Sequence, residues 1–194
     1  MSVAAIVLAA GASTRLGQPK QLVQLGGTTD GERLLERAVR VAGEAGCAPV
    51  IVVLGAGAQE IERLCHLPGA VLVYNQGWAE GMGLSIHAGM VSLPEDVEGV
   101  VLMTCDQPAV TGLHLQELVA RGKAGGEPAT SAYGGRFGVP AFFPRESFKA
   151  LESLRGEAGA RSLLRTARKI NLPGGEIDVD TTQSLELAKQ RFAR

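Results

Sequence analysis

The sequence predicts an α/β domain whose mostly parallel sheet is covered by helices on both faces. Two observations carry that expectation. Short runs rich in valine, isoleucine and leucine are apolar throughout, as strands buried on both faces must be, and they alternate with segments of helical periodicity. The strands of the first half are expected at residues 4–9, 50–54, 71–74 and 100–103. Between them, Leu34, Leu35, Ala38, Val39 and Val41 recur at helical spacing. Ile61, Leu64 and Cys65 suggest a second helix, and residues 86–93 and 115–119 two more. After Lys123 the texture changes. "KAGGEP" reads as a loop, then residues 129–133 and 139–143 as strands around the turn "GGRFG". Residues 145–154 and 159–166 look helical, and a last helix is expected from about Thr182. No repeat, low-complexity tract or linker interrupts the chain, so residues 1–194 are read as one domain whose second half walls a substrate site.

The 194 residues, 45% of them hydrophobic, suffice for a substantial aliphatic core. A net charge of −1 leaves no basic footprint for nucleic acid or membrane, and aromatic residues are too few for a base-stacking surface. A small molecule is therefore the expected partner. Cys47, Cys65 and Cys105 are dispersed without C-x-x-C spacing, which fits reduced core thiols in a cytoplasmic protein rather than disulfides or a zinc site. The N-terminal apolar run is too short for a membrane span and lacks the basic start and cleavage pattern of an export signal.

In sheets of this kind ligands bind beyond the carboxyl ends of the strands. There lies "LAAGASTRLGQPK", Leu8 to Lys20, with two glycines, a serine, a threonine, an arginine and a lysine. Glycine lets backbone N–H groups approach a phosphate, and the cations supply charge. An ordinary strand-to-helix turn with solvated charges is the plainer alternative. Two familiar phosphate motifs fail on spacing. No hydroxyl residue follows Lys20 as a P-loop requires, and G-x-G-x-x-G is absent. Pro19 should hold Gln18 extended, so the loop is not expected to run straight into a helix.

Two other strand ends carry carboxylates. "VVLMTCDQPAV" presents Asp106 just past its strand, and "EIDVDTT" puts Asp178 and Asp180 before the last helix with Thr181 and Thr182 as candidate caps. Each has a bland reading: Asp106 as a turn former, Asp180 as an N-cap. Taken with a cationic loop they suit a Mg²⁺-nucleoside triphosphate, because Mg²⁺ takes one or two carboxylates plus phosphate oxygens and water. The three histidines form no cluster; His66 and His114 read as surface residues, and His87 lies near the second glycine loop.

At this point the motifs match a family. "LAAGASTRLGQPK", "YNQGWAEGMGLSIHAGM", "MTCDQPAV", "GVPAFFPRESFKALESLRGEAGARSLL" and "IDVDTTQSLELA" together resemble the MobA-like nucleotidyltransferases, closest to the molybdenum cofactor cytidylyltransferases, over nearly the whole chain. The resemblance implies a Rossmann-like three-layer α/β/α fold, with nucleotide bound by the N-terminal half and acceptor by the C-terminal half. It also implies transfer of CMP from CTP to molybdopterin-bound molybdenum cofactor, with release of pyrophosphate. Carried over, Arg15 and Lys20 hold the triphosphate, with backbone at Ala9, Ala10 and Gly11. Asp106 is a metal ligand, and a second comes from Asp180 in preference to Asp178. Gly81, Gly83 and Ser85 read the base. The implied cofactor is Mg²⁺, with Mn²⁺ as the alternative. Arg161 and Pro140 fall on the acceptor side, where a surface arginine paired with a glutamate is the bland reading of Arg161.

Ala10 and "PAFF" favour the cytidine branch, since the guanosine branch tends to "LAGG" and a methyl crowds a purine. "LGGTTDGERLLERAV" is longer than the usual turn, and Glu157 stands where the family usually has aspartate. Two rivals remain: a nucleotidyltransferase using GTP or acting on a sugar or polyol phosphate, and a non-catalytic carrier of the cofactor to a molybdenum hydroxylase apoenzyme.

Overall fold

The computed structural model describes residues 2–26, 31–157 and 159–192. Among these residues seven strands form one sheet of order β3-β2-β1-β4-β6-β5-β7. They are β1 (Ser2–Ala9), β2 (Val50–Leu54), β3 (Ala70–Tyr74), β4 (Val97–Thr104), β5 (Ala129–Tyr133), β6 (Arg136–Pro144) and β7 (Arg168–Asn171). Pairing is parallel from β3 through β4 and again between β5 and β7; β6 runs against both its neighbours. The expected α/β class with a mostly parallel sheet is thus the observed one.

Around the sheet lie α1 (Leu34–Glu44), α2 (Ala58–Leu64), α3 (Met82–Met90), α4 (Gly112–Gly125), α5 (Phe148–Glu152) and α6 (Thr182–Phe192). The period-two alternation of β1 divides the core between two faces. Val3, Ala5, Val7 and Ala9 pack with Leu35 and Val39 of α1 and Leu115 and Leu118 of α4. Ala4, Ile6, Leu8 and Ala10 pack with Ile86 and Met90 of α3 and Leu151 of α5. A strand apolar on both faces is therefore one buried between two helical layers. A third cluster joins Leu16 of the first loop to Val179 and to Leu185 and Ala188 of α6, which draws the end of the chain onto that loop.

Several elements depart from the sequence expectation. β7 was not foreseen, because "RKIN" buries only Ile170 and its charged residues mask the strand. β6 begins at Arg136, so the turn between β5 and β6 is shorter than "GGRFG". The helix expected over residues 86–93 starts earlier, its first turn obscured by Gly81 and Gly83. The predicted helices over 145–154 and 159–166 shrink to a 3-10 turn leading into α5 and a second 3-10 turn at Ala160–Leu164. The extra length in "LGGTTDGERLLERAV" falls on residues 27–30, outside the described residues. His114 is a correction: it is 8% exposed, not a surface residue. Its Nε2 lies 2.7 Å from Ser131 Oγ, whose own proton goes to Pro140 O, so the ring nitrogen is the donor. Cys47, Cys65 and Cys105 are free and buried, as expected. Among the described residues no helix is long and apolar enough to cross a membrane.

The order places β1 beside both β2 and β4, so the chain switches direction across the sheet there, and a crevice opens above their carboxyl ends. One wall of it depends on a close approach. Gly83 N–H donates to Gly156 O at 2.8 Å, and a Cβ on Gly83 would lie 2.6 Å from the Arg155 backbone. Gly83→Ala should therefore force the 155–157 loop off α3 and cost about 1–3 kcal/mol, as overpacking does. Denaturant unfolding measures this; an unchanged midpoint would mean that the loop yields freely.

Candidate active site

The loops after β1, β3 and β4 converge on a cavity of about 510 Å³. Ala9, Ala10, Gly11, Arg15 and Lys20 come from the first loop, Gly81 and Ser85 from the start of α3, and Asp106 from the end of β4. Ser13 adopts a positive φ of 53°, and its carbonyl accepts from the Leu16 and Gly17 N–H groups, turning the chain back toward the sheet. A 3-10 turn then opens at Lys20, where no α-helix was expected to follow directly.

Lys20 is the centre of the charge arrangement. Its Nζ donates to Asp106 Oδ2 at 2.7 Å and to Asp180 Oδ1, while Arg15 donates to Asp180 Oδ2 at 2.6 Å. Lys20, Asp106 and Asp180 are 16%, 13% and 25% exposed at their side chains, so water screens this network weakly; Arg15 is 72% exposed. Burial alone would lower the pKa of the Lys20 ammonium. The two carboxylates outweigh it and hold the pKa above the usual lysine value, so Lys20 is a fixed cation.

The bland readings of both aspartates can now be weighed. Asp106 turns its carboxylate to Lys20 rather than to a local turn. Asp180 does not cap α6: Thr181 does, its Oγ1 accepting from the Ser184 N–H at 3.1 Å. The Asp180 carboxylate is left to Lys20 and Arg15. Val179 N–H donates to Asp106 O at 2.9 Å, a backbone link that brings the two acidic segments together. Asp178 borders a second cavity. Reduced hydration, then the like charges of Asp106 and Asp180, raise its pKa above the ordinary carboxylate value.

That second cavity, about 230 Å³, meets the first at Met82. Arg161 borders it and lies over the Phe137 ring at 5.4 Å, with Lys169 Nζ 5.0 Å from the same centroid. Arg161 is exposed, as its bland reading has it, but its described contact is aromatic rather than a glutamate. Pro140 is buried within β6 and does not border the cavity, although Phe137, Gly138 and Val139 do. Gly83 likewise lies outside the first cavity, its N–H committed to Gly156 O. Ser85 accepts from Asn75 Nδ2 at 3.0 Å, and Asn75 Oδ1 accepts from the Gly77 N–H, so Asn75 organises the second loop. His87 Nδ1 donates to Glu152 O at 2.8 Å, an anchor between α3 and α5 outside both cavities.

Sequence reasoning missed Gln21 and Trp78 on the first cavity and Gln107, Tyr133 and Phe137 on the second, while Glu157, singled out as a departure from the family pattern, borders the first. The lone tryptophan inside a glycine loop was an available signal for Trp78. Gln21, next to the singled-out Lys20, was visible as a polar residue before Leu22 and Val23.

Residues 5–171 match the MobA-like NTP transferase domain. Among relatives, nicotine blue oxidoreductase of Paenarthrobacter nicotinovorans is 32% identical over 172 residues, covering 84% of this chain and 81% of its own. Among solved structures, the Mycobacterium tuberculosis Rv0371c homologue from Mycobacterium sp. strain JC1 superposes with a TM-score of 0.82 at 32% identity, covering 97% of this chain and 95% of that one. Rv0371c of M. tuberculosis H37Rv, in complex with manganese, superposes with a TM-score of 0.78 at 27% identity, covering 98% of this chain and 100% of that one.

The ion network makes its own prediction. Lys20→Met leaves Asp106 and Asp180 without their shared cation. Removing one partner of a buried pair costs about 3–5 kcal/mol, which partial exposure should reduce to about 1–3 kcal/mol here. In denaturant unfolding the Lys20→Met, Asp180→Asn double variant should lose less than the sum of the two singles. Additivity within about 0.5 kcal/mol would show that the pair is uncoupled.

Proposed function

The chain belongs to the MobA-like NTP transferase family, and we propose that it transfers CMP from CTP to the phosphate of molybdopterin-bound molybdenum cofactor. The observation that carries the reading is the Lys20 ammonium shared by Asp106 and Asp180 on the wall of a cavity floored by a glycine-containing loop. A cation and two carboxylates gathered there suit a triphosphate and a divalent ion. The motif resemblance supplies the choice of nucleotide and acceptor. A nucleotidyltransferase of cytoplasmic, soluble type fits the same reading.

Among the described residues no group of three His, Cys, Asp or Glu side chains forms a ready metal cage. Two carboxylates nevertheless fit Mg²⁺ or Mn²⁺, whose remaining ligands are commonly substrate phosphates and water. Asp106 and Asp180 would hold the ion, which when bound neutralises phosphate oxygens. The manganese in Rv0371c supports a divalent ion of this kind.

The rest of the chemistry falls to the chain. An acceptor phosphate oxygen bonds to the α-phosphorus of CTP, the bond from that phosphorus to the bridging oxygen breaks, and pyrophosphate leaves. The attacking oxygen is already ionised at neutral pH, so no general base is required. Catalysis is then positioning and charge neutralisation. Lys20, released from its carboxylates, neutralises the triphosphate. Arg15, largely exposed, would leave Asp180 and fold over it. Asn75 and Ser85 orient the loop facing the base. Arg161, stacked on Phe137, gives the second cavity, which neither Asp106 nor Asp180 borders, a cation beside an apolar face that suits a phosphate-bearing acceptor. Its junction with the first cavity at Met82 is where acceptor and α-phosphate would meet.

Pyrophosphate release with CTP, GTP, ATP and UTP, with and without a molybdopterin-type acceptor and with a sugar 1-phosphate in its place, tests the reading. Release is expected with CTP and the molybdopterin acceptor. Ala10, which borders the cavity and is 4% exposed, should penalise a purine by about 1–3 kcal/mol, or ten- to two-hundredfold in kcat/KM. Ala10→Gly should relax the preference toward GTP while keeping CTP use. Equal kcat/KM for CTP and GTP in the unmodified protein would sink the cytidine assignment.

A further inference from the structure

Gln21 follows Lys20 in the 3-10 turn, is 1% exposed and borders the first cavity. Its Nε2 donates to two carbonyls of the first loop, Ala9 O at 2.6 Å and Gly11 O at 3.2 Å. Those two bonds use both protons of the carboxamide nitrogen. Its Oε1 is buried without a hydrogen-bond partner among the described residues. Leaving such an oxygen unpaired is unfavourable, and a methionine would fill similar space without it. Packing therefore does not explain this side chain. The pair of donors does.

The consequence follows from peptide geometry. In a trans peptide the C=O of one residue and the N–H of the next point in opposite directions. Fixing Ala9 O and Gly11 O on Gln21 therefore fixes the Ala10 and Ala12 N–H groups on the other side. Ala10 O is held as well, by the Ala56 N–H at 3.0 Å, which sets the Gly11 N–H in turn. Ala10, Gly11 and Ala12 all border the cavity. The far end of the loop is tied by the Lys20 N–H, which donates to Ser13 Oγ at 3.1 Å.

We propose that Gln21 is a positioning residue whose carboxamide clamps the Ala9 and Gly11 carbonyls, so that the Ala10 and Ala12 N–H groups are aligned for a triphosphate before it binds. This rests on reading the first loop as a triphosphate receptor. A neutral –NH₂ suits the task because it gives two donors on one atom without adding charge. A carboxylate in its place would face two carbonyl oxygens and the incoming anion. Preorganised donors of this kind need no reordering when the ligand arrives, which is where their contribution to affinity lies.

The test uses inorganic tripolyphosphate as a base-free probe, with calorimetry and backbone amide NMR on the full chain. Wild type should bind it and shift the Ala10 and Ala12 amide resonances. Gln21→Met should bind about tenfold or more weakly, a loss of about 1.4 kcal/mol, and lose those shifts while keeping its melting temperature within a few degrees. Gln21→Asn keeps the amide but is one carbon shorter, and should show the same loss; it decides the matter if Gln21→Met does not fold. Equal tripolyphosphate affinity in wild type and variants overturns the clamp and leaves the nucleotidyltransferase reading standing. A lower melting temperature with unchanged affinity also overturns it. A wild-type protein with no affinity for tripolyphosphate overturns both.

Discussion

One ammonium group joins the parts of this site. Lys20 comes from the loop after the first strand, Asp106 from the end of the fourth, and Asp180 from the segment entering the last helix, 160 residues further along the chain than Lys20. Two carboxylates set that close repel one another, and a lysine losing water needs a counter-charge. Each group supplies what the others lack. The apolar contact of Leu16 with Val179, Leu185 and Ala188 serves the same end by packing α6 against the first loop. Together with the Val179 N–H bond to Asp106 O, that packing holds Asp180 beside Asp106.

Under the proposed function the same interaction accounts for how a resting site would become a binding site. A cation held between carboxylates leaves them screened until a ligand offers better partners. In the proposed reaction a polyanionic nucleotide would draw the lysine away, and the two freed carboxylates would hold a divalent ion arriving with the phosphates. On that proposal Lys20 keeps in place, in the absence of substrate, the negative charges that the working site would require. Gln21, the next residue, holds the backbone of the same loop. Adjacent positions in one short turn therefore govern charge and amide orientation together.

Much of the fold was legible because strands buried on both faces leave a plain mark. The run at β1 is apolar at every second position on each side, and both sets of side chains meet helices. β7 was illegible because an edge strand with one buried residue carries no such mark. At the site, residue type and motif resemblance pointed to Arg15, Lys20, Asp106 and Asp180, and the structure brings those four together. The resemblance alone could not distinguish a glycine that borders the cavity from one that only admits a neighbouring loop. Gly81 does both, bordering the cavity and making room for Gly156, whereas Gly83 only makes room for Arg155. Gln21 was hidden for a different reason: its part is played through backbone carbonyls, which no side-chain pattern records. His114 read as a surface residue because nothing local shows that Ser131, in another element, lies beneath it.

The central claim is that Lys20 passes from the carboxylates to the triphosphate and neutralises it during transfer. The most direct measurement is single-turnover transfer of label from α-labelled CTP to a molybdopterin-type acceptor, comparing wild type with Lys20→Ala under conditions where circular dichroism shows both folded. Loss of one preorganised charge donor should slow transfer by about two to three orders of magnitude. A Lys20→Ala protein that transfers label within about a factor of two of the wild-type rate, less than 0.5 kcal/mol of barrier, would contradict the account.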